Sequence, residues 1–288
     1  MTGTMWRNDV PSPRTILRFP FGLIRMTGNE SVDFLHRITS NDFTAFTSGN
    51  IQKTLLITDK GRILDAVWVI HRGDHILMLT SSGMTSDVMQ WLNKYIVMEE
   101  IELHDASAEY SVDIFFNQQY EFYQSDYFGF PASFRIAVPS EFISDELPAS
   151  VMEEFELWRI WNGIPKAKKE LVNEFNPLEL NLWDWISFSK GCYIGQEVIA
   201  RLDTYNKIQR CLCRISSEAK IDAEEILIDD VGAVIGRITS VVQKENEYIG
   251  LAVIRLQWSK ELHQVRSKDN SAVVTLEKIF AKRAYGNT

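Results

Sequence analysis

The chain has 288 residues and a mass of 33.2 kDa, with 45% apolar and 24% charged residues, room for two or three domains and a composition that excludes a disordered or disulfide-stapled protein. Its 39 acidic and 30 basic residues leave a formal charge of −9, the wrong sign for a protein whose main task is to grip phosphate backbones. Met1 to Phe21 holds no continuous apolar stretch, no run elsewhere reaches bilayer length, and Cys192, Cys211 and Cys213 form no CxxC pair, so a cytoplasmic protein without membrane attachment is expected.

Residues 1–20, broken by Pro11 and Pro13, read as a loose lead-in. Asn29, with Glu30 and Asp33 close behind and Val32, Leu35 and Ile38 at one-face spacing, predicts a short helix capped by Asn29. Runs over 53–58, 62–70 and 75–80, separated by Asp59-Lys60-Gly61 and Arg72-Gly73-Asp74, predict an antiparallel meander. A second helix is expected over 86–99, with Val88, Trp91, Leu92 and Tyr95 on one face, and short strands over 101–138. A third helix over 150–162 is stopped by Gly163 and Pro165. The stretch 166–189, rich in aromatic residues around Trp183, Trp185 and Phe188, is long for a linker. Five β-rich runs come next, over 208–215, 225–228, 233–242, 248–257 and 272–280, the pattern of a small barrel or sandwich.

The string Lys190-Gly191-Cys192-Tyr193-Ile194-Gly195-Gln196-Glu197 carries the richest chemistry. Its glycines imply tight turning or close approach, and the thiol stands just before an expected helix N-terminus and two residues from Lys190, a setting that favours thiolate. Cys192 is a candidate nucleophile, redox thiol or soft metal ligand, against the plain alternative of a small buried hydrophobe. Cys211 and Cys213 share one side of a strand, opposite Leu212. His36, His71, His75, His104 and His263 are scattered, so no permanently bound metal is expected. Asp65 falls inside an apolar strand, on one face with Ile63 and Val67. An exposed acid on a wet sheet face is the plainer expectation; if buried, it needs a partner and could act as an acid or base or bind an amine-rich heterocycle.

The Lys190 to Glu197 string resembles the motif of the YgfZ family of folate-binding proteins, relatives of the glycine-cleavage T protein, an aminomethyltransferase. Further similarity lies in Thr39-Ser40-Asn41-Asp42, in Gly61-Arg62-Ile63-Leu64-Asp65, and in Arg159-Ile160 with Gly163-Ile164-Pro165. Gly236-Arg237-Ile238-Thr239-Ser240 and Gly250-Leu251-Ala252 with Arg255 complete the series.

The resemblance implies an α+β, ring-like fold of the aminomethyltransferase type. A folate-binding region over 21–205, made of two modules that break near 105–110, would precede a β-barrel over 206–288, and the modules would enclose a funnel for tetrahydrofolate or a derivative. It implies an accessory role in iron–sulfur cluster assembly or maintenance, and through it in tRNA modification, with Cys192 as the functional residue. Lys190, Tyr193 and Gln196 would shape the loop and the cofactor site. Asp65 would take the place of the aspartate that contacts folate and promotes methylene transfer, Thr80 that of an asparagine, and Trp161 that of a pterin-binding glutamate, offering a stacking face in its stead. Expected partners are reduced folate and iron–sulfur proteins or their assembly machinery, with the chain a monomer and no direct contact to tRNA. Two alternatives stand beside this: an aminomethyltransferase carrying one-carbon units to tetrahydrofolate, and a folate-independent thiol docking module.

Overall fold

The computed structural model describes residues 17–116, 122–138, 149–258 and 264–281, so most of the expected lead-in, residues 139–148 and His263 lie outside the described residues. The described chain opens on β1 (Leu17–Phe19), which is part of a sheet rather than of a loose lead-in. Its partner is not its neighbour in sequence but β7 (Ser111–Phe116), in a four-stranded antiparallel sheet completed by β8 (Tyr123–Tyr127) and β9 (Phe130–Ala137), in the order β1-β7-β9-β8.

Between β1 and β7 lies the first module, a five-stranded sheet of β2 (Gly22–Thr27), β3 (Ile51–Ile57), β4 (Ile63–His71), β5 (Ile76–Thr80) and β6 (Glu102–Asp105), in the order β3-β4-β5-β2-β6. One face packs on α1 (Ser31–Ile38) and α2 (Thr85–Asn93) through Ile24, Phe34, Leu35, Val67, Val69, Met78, Val88 and Leu92. The other face, with Leu55, Trp68, Ile70, Leu77 and Leu79, joins the large core between modules. Both faces are covered, so β4 and β5 are nearly continuous apolar runs. The meander is as expected. The cap is not: Glu30 takes the N-cap position with no side-chain bond. The second helix stops at Asn93 because Glu99 folds the next residues into a turn, accepting the amides of Val97 and Met98 while pairing with Arg37.

Aromatic rings fill the junction of the two modules. Trp68 stacks on Tyr127 at 5.3 Å and 7°, and meets Trp185 edge-on at 4.9 Å. Phe155 and Trp158 of α3 (Ala149–Asn162) close the cluster against Tyr127 and Phe116. The irregular stretch after α3 is the mortar of this core: Leu171, Phe175, Leu178, Leu180, Leu182, Trp183, Trp185 and Ile186 are all buried in it. Its length reflects that packing.

The last module is a closed barrel of six strands rather than the five expected: β10 (Arg210–Ser217), β11 (Ile226–Ile228), β12 (Val234–Lys244), β13 (Glu247–Arg255), β14 (Gln264–Ser267) and β15 (Val273–Phe280), ordered β10-β13-β12-β11-β14-β15. Only four residues long, with Val265 its sole apolar side chain, β14 carries too little alternation to be read from sequence. Cys211 and Cys213 share the barrel's own core with Ile215 and Leu227, while Leu212 faces the intermodule core, as the alternation predicts.

A buried polar network fastens the barrel to α3. The Arg159 guanidinium donates to Glu156 at 2.7 Å, to the Ile164 carbonyl at 3.1 Å and to Ser240 Oγ at 2.9 Å. The fully buried Glu170 carboxylate lies 3.5 Å from Arg159 and accepts from Thr239 Oγ1 at 2.6 Å, Ser240 Oγ at 2.7 Å and the Lys166 amide at 3.0 Å.

Candidate functional site

Cys192 is exposed, in a loop held on both sides. On one side the buried Lys190 ammonium donates to the carbonyls of His36, of Thr39 at 2.7 Å and of Asn41 at 2.8 Å. These carbonyls lie at and just beyond the C-terminus of α1, where backbone dipoles leave negative potential. Burial lowers the Lys190 value to about 8. Tyr193 lies under the same ammonium at 5.2 Å, its hydroxyl pushed up to about 12 by burial.

On the other side the loop turns at Gly195, φ +78°, into α4 (Gln196–Thr204). A Cβ on Gly195 would meet the Thr58 carbonyl at 2.4 Å and Gly61 Cα at 3.3 Å; one on Gly61, itself at φ +66°, would meet the Val198 side chain of α4 at 2.9 Å. The β3–β4 turn and the start of α4 therefore touch backbone to backbone, which only glycine allows. Ser40 ties in the approach to the loop, donating through Oγ to the Trp185 carbonyl at 2.7 Å and accepting the Ser187 amide on its own carbonyl at 3.0 Å. The Thr39–Asp42 segment, the Gly61 turn and the cysteine string are thus one packed unit.

This changes the expected role of Lys190. Its donors are engaged at the end of α1, and α4 begins only at Gln196, beyond a left-handed glycine. The lysine and helix end expected to act on the thiol instead anchor its loop. Gln196 contributes a long bond, 3.5 Å, to the Lys190 carbonyl. Around Cys192 lies an open hollow of about 530 Å³ lined by His36, Arg37, Gly191, Tyr193 and Ile194. A Cβ on Gly191 would meet nothing within 4 Å, so bare backbone beside the thiol is open to approach.

Asp65 is placed otherwise than the plainer expectation: it is wholly buried. A register shift between Leu56 and Ile57 puts Ile63 with the intermodule core, so Asp65 keeps Val67 as face-mate and loses Ile63. Its oxygens accept the Ala66 and Ser81 amides, each at 2.9 Å. Burial raises its value to about 6, opposed by the bonds from Ser81 and Ala66. Such an acid binds its proton more tightly folded than unfolded, so its contribution is full below the unfolded value and is withdrawn as pH rises to about 6. Melting curves between pH 4 and 7 should show the wild-type chain losing ground to Asp65→Asn as pH rises; a constant difference would overturn this.

Thr80 is buried near Thr85, its Oγ1 at 3.3 Å from that hydroxyl. Trp161 lies elsewhere, with the Arg214 guanidinium 3.8 Å over its ring and donating to its carbonyl at 2.9 Å. The structure therefore brings Lys190, Cys192, Tyr193 and Gln196 together, sets Asp65 and Thr80 in the first module, and sets Trp161 against the barrel. Ser81 and Arg214, which decide the environments of Asp65 and Trp161, carry no local sequence signal; both act across long chain separations. Among the described residues, no three His, Cys, Asp or Glu side chains gather as metal ligands would. No helix among them is long and apolar enough to cross a membrane.

Three modules, two of them α+β and the third a closed barrel, define an aminomethyltransferase-type fold, and comparison with solved structures agrees. Aminomethyltransferase T of the glycine cleavage system from Bartonella henselae superposes with a TM-score of 0.72 at 15% identity, covering 92% of this chain and 85% of that one. The GCVT N-terminal domain model matches residues 19–112. A chloroplastic protein of Arabidopsis thaliana is 28% identical over 282 residues and 82% of this chain, which spans 64% of that protein's length. The tRNA-modifying protein YgfZ of Colwellia psychrerythraea is 23% identical over 78% of each chain. The mitochondrial iron–sulfur cluster assembly factor IBA57 of Mus musculus is 29% identical over 43% of this chain and 36% of its own. The chain is thus similar to YgfZ proteins and shares the fold of the glycine-cleavage T protein.

Of the residues expected to receive a pterin, Asp65 is buried with both oxygens accepting amides and Trp161 is covered on one face by Arg214.

Proposed function

We propose that this chain is an accessory factor for the assembly or maintenance of iron–sulfur clusters, with Cys192 as the group that acts. The observation that carries this is a single exposed thiol on a loop anchored at Lys190 and Gly195, beside open backbone at Gly191. Thiolate is the natural soft ligand for iron, and one thiolate is too few for a cluster, which usually takes four. Cys192 therefore works as one ligand of a shared, transient site completed by a partner. The names of the YgfZ and IBA57 relatives, one tRNA-modifying and one a cluster assembly factor, support that reading. Methylene transfer is disfavoured because Asp65 is enclosed.

The test is to replace the native chain in its cell by Cys192→Ala and by Cys192→Ser. Cluster-dependent enzymes should lose activity several-fold while the variant's abundance and melting temperature stay unchanged; unaltered activities would refute the proposal. Titration with tetrahydrofolate, followed by the fluorescence of the eight tryptophans, should show no saturable change. Saturable quenching would restore the folate-dependent reading.

A further inference from the structure

The largest of the described cavities is not at Cys192. A cleft of about 940 Å³ opens between the β3–β4 turn, α4 and the barrel, a size typical of small-molecule sites. Six cations line it: Lys60 and Arg62 from the turn, Arg201 from α4, Lys207 and Arg210 at the entry to the barrel, and Arg255 at the end of β13. The one carboxylate in the lining is Glu179, which accepts from Arg210 at 2.9 and 3.1 Å and lies 3.9 Å from Arg62. Lys60, Arg201 and Arg255 are exposed and form no ion pair with any described residue. In a chain whose formal charge is −9, so many like charges around one concavity create a strong local positive field, which raises the local concentration of anions.

We propose that this cleft is a binding site for a small, chain-like polyanion, an oligophosphate or an oligocarboxylate. The lining selects charge rather than a ring. Between the cations the walls are aliphatic, from Val198, Leu202, Ile208 and Leu256, and among the described residues of the lining no aromatic face is offered for stacking a base or a pterin. Four of the six cations are arginines, whose planar forks take phosphate and carboxylate oxygens in pairs. The absence of stacking faces favours a small ligand over a single-stranded nucleic acid. Val198 also packs on Gly61, and α4 leads directly out of the cysteine loop, so an occupant bears on the elements that hold Cys192.

Calorimetric titration of the full chain with sodium tripolyphosphate, and separately with a tetraglutamate peptide, tests the site. One-site, saturable binding is expected for at least one probe, and the tighter of the two identifies phosphate or carboxylate as the natural chemistry. Affinity should fall at least tenfold in Arg201→Glu/Arg255→Glu. Should that variant melt early, Arg201→Gln and Arg255→Gln read the loss singly. The proposal is overturned if neither probe saturates at millimolar concentration, if the arginine variants bind as well as wild type, or if tRNA binds there and neither small anion competes.

Discussion

Replacing Glu170 by alanine should lower the unfolding free energy by about 3–5 kcal/mol, read as a shift of the guanidinium midpoint. The carboxylate is fully buried and takes two hydroxyl donors from β12, the Lys166 amide and the charge of Arg159. Its loss leaves Ser240 and the Lys166 amide without their acceptor, Thr239 with the Leu251 carbonyl alone, and Arg159 with less compensation. Glu156 still pairs with Arg159 at 2.7 Å, which keeps the expectation away from the upper end of that range. The double variant Arg159→Met/Glu170→Leu should recover part of the loss, since a fully apolar replacement leaves no orphaned charge. A single variant as stable as wild type would mean that the barrel is held to α3 by apolar packing alone.

Lys190→Met is expected to cost about 2–4 kcal/mol, since charge-assisted bonds to carbonyls at a helix end are lost together. The more specific consequence concerns the loop. Without the tie to Thr39 and Asn41, amides over 190–195 should exchange hydrogen faster than in wild type, while those of β10 and β13 keep their protection. Thiol titration gives the companion readout. In the native wild-type chain one equivalent, Cys192, should react promptly, whereas Cys211 and Cys213 are buried and their thiols are pushed up, to about 12 for Cys211. All three should react at once only on unfolding. Unchanged loop exchange in Lys190→Met would show that Gly195 and Gln196 suffice to seat the cysteine.

Much of the architecture was legible because local pattern and final packing agree. The 62–70 and 75–80 runs are largely apolar on both faces and become β4 and β5, buried on both faces, and the alternation of Cys211, Leu212 and Cys213 matches their division between two cores. The hidden part depends on contacts between distant parts of the chain. Asp65 cannot be known as buried until the register shift opposite Leu56 and the Ser81 amide are in place. The target of Lys190 lies on α1, and the cationic cleft draws on four separate stretches of chain that no window of sequence sets side by side. The cysteine string itself was visible, but its meaning shifted: the lysine expected to tune the sulfur is the strut that holds its loop.

The seat of Gly195 on the Gly61 turn has a consequence for how such a chain can diverge. A methyl group at Gly195 would run into the Thr58 carbonyl and one at Gly61 into the Val198 side chain, and an added residue in the 58–62 turn would displace α4 as well as the hairpin. A chain that keeps the cysteine loop on this seat is therefore held to one hairpin length and to glycine at both positions, each of which takes a positive φ.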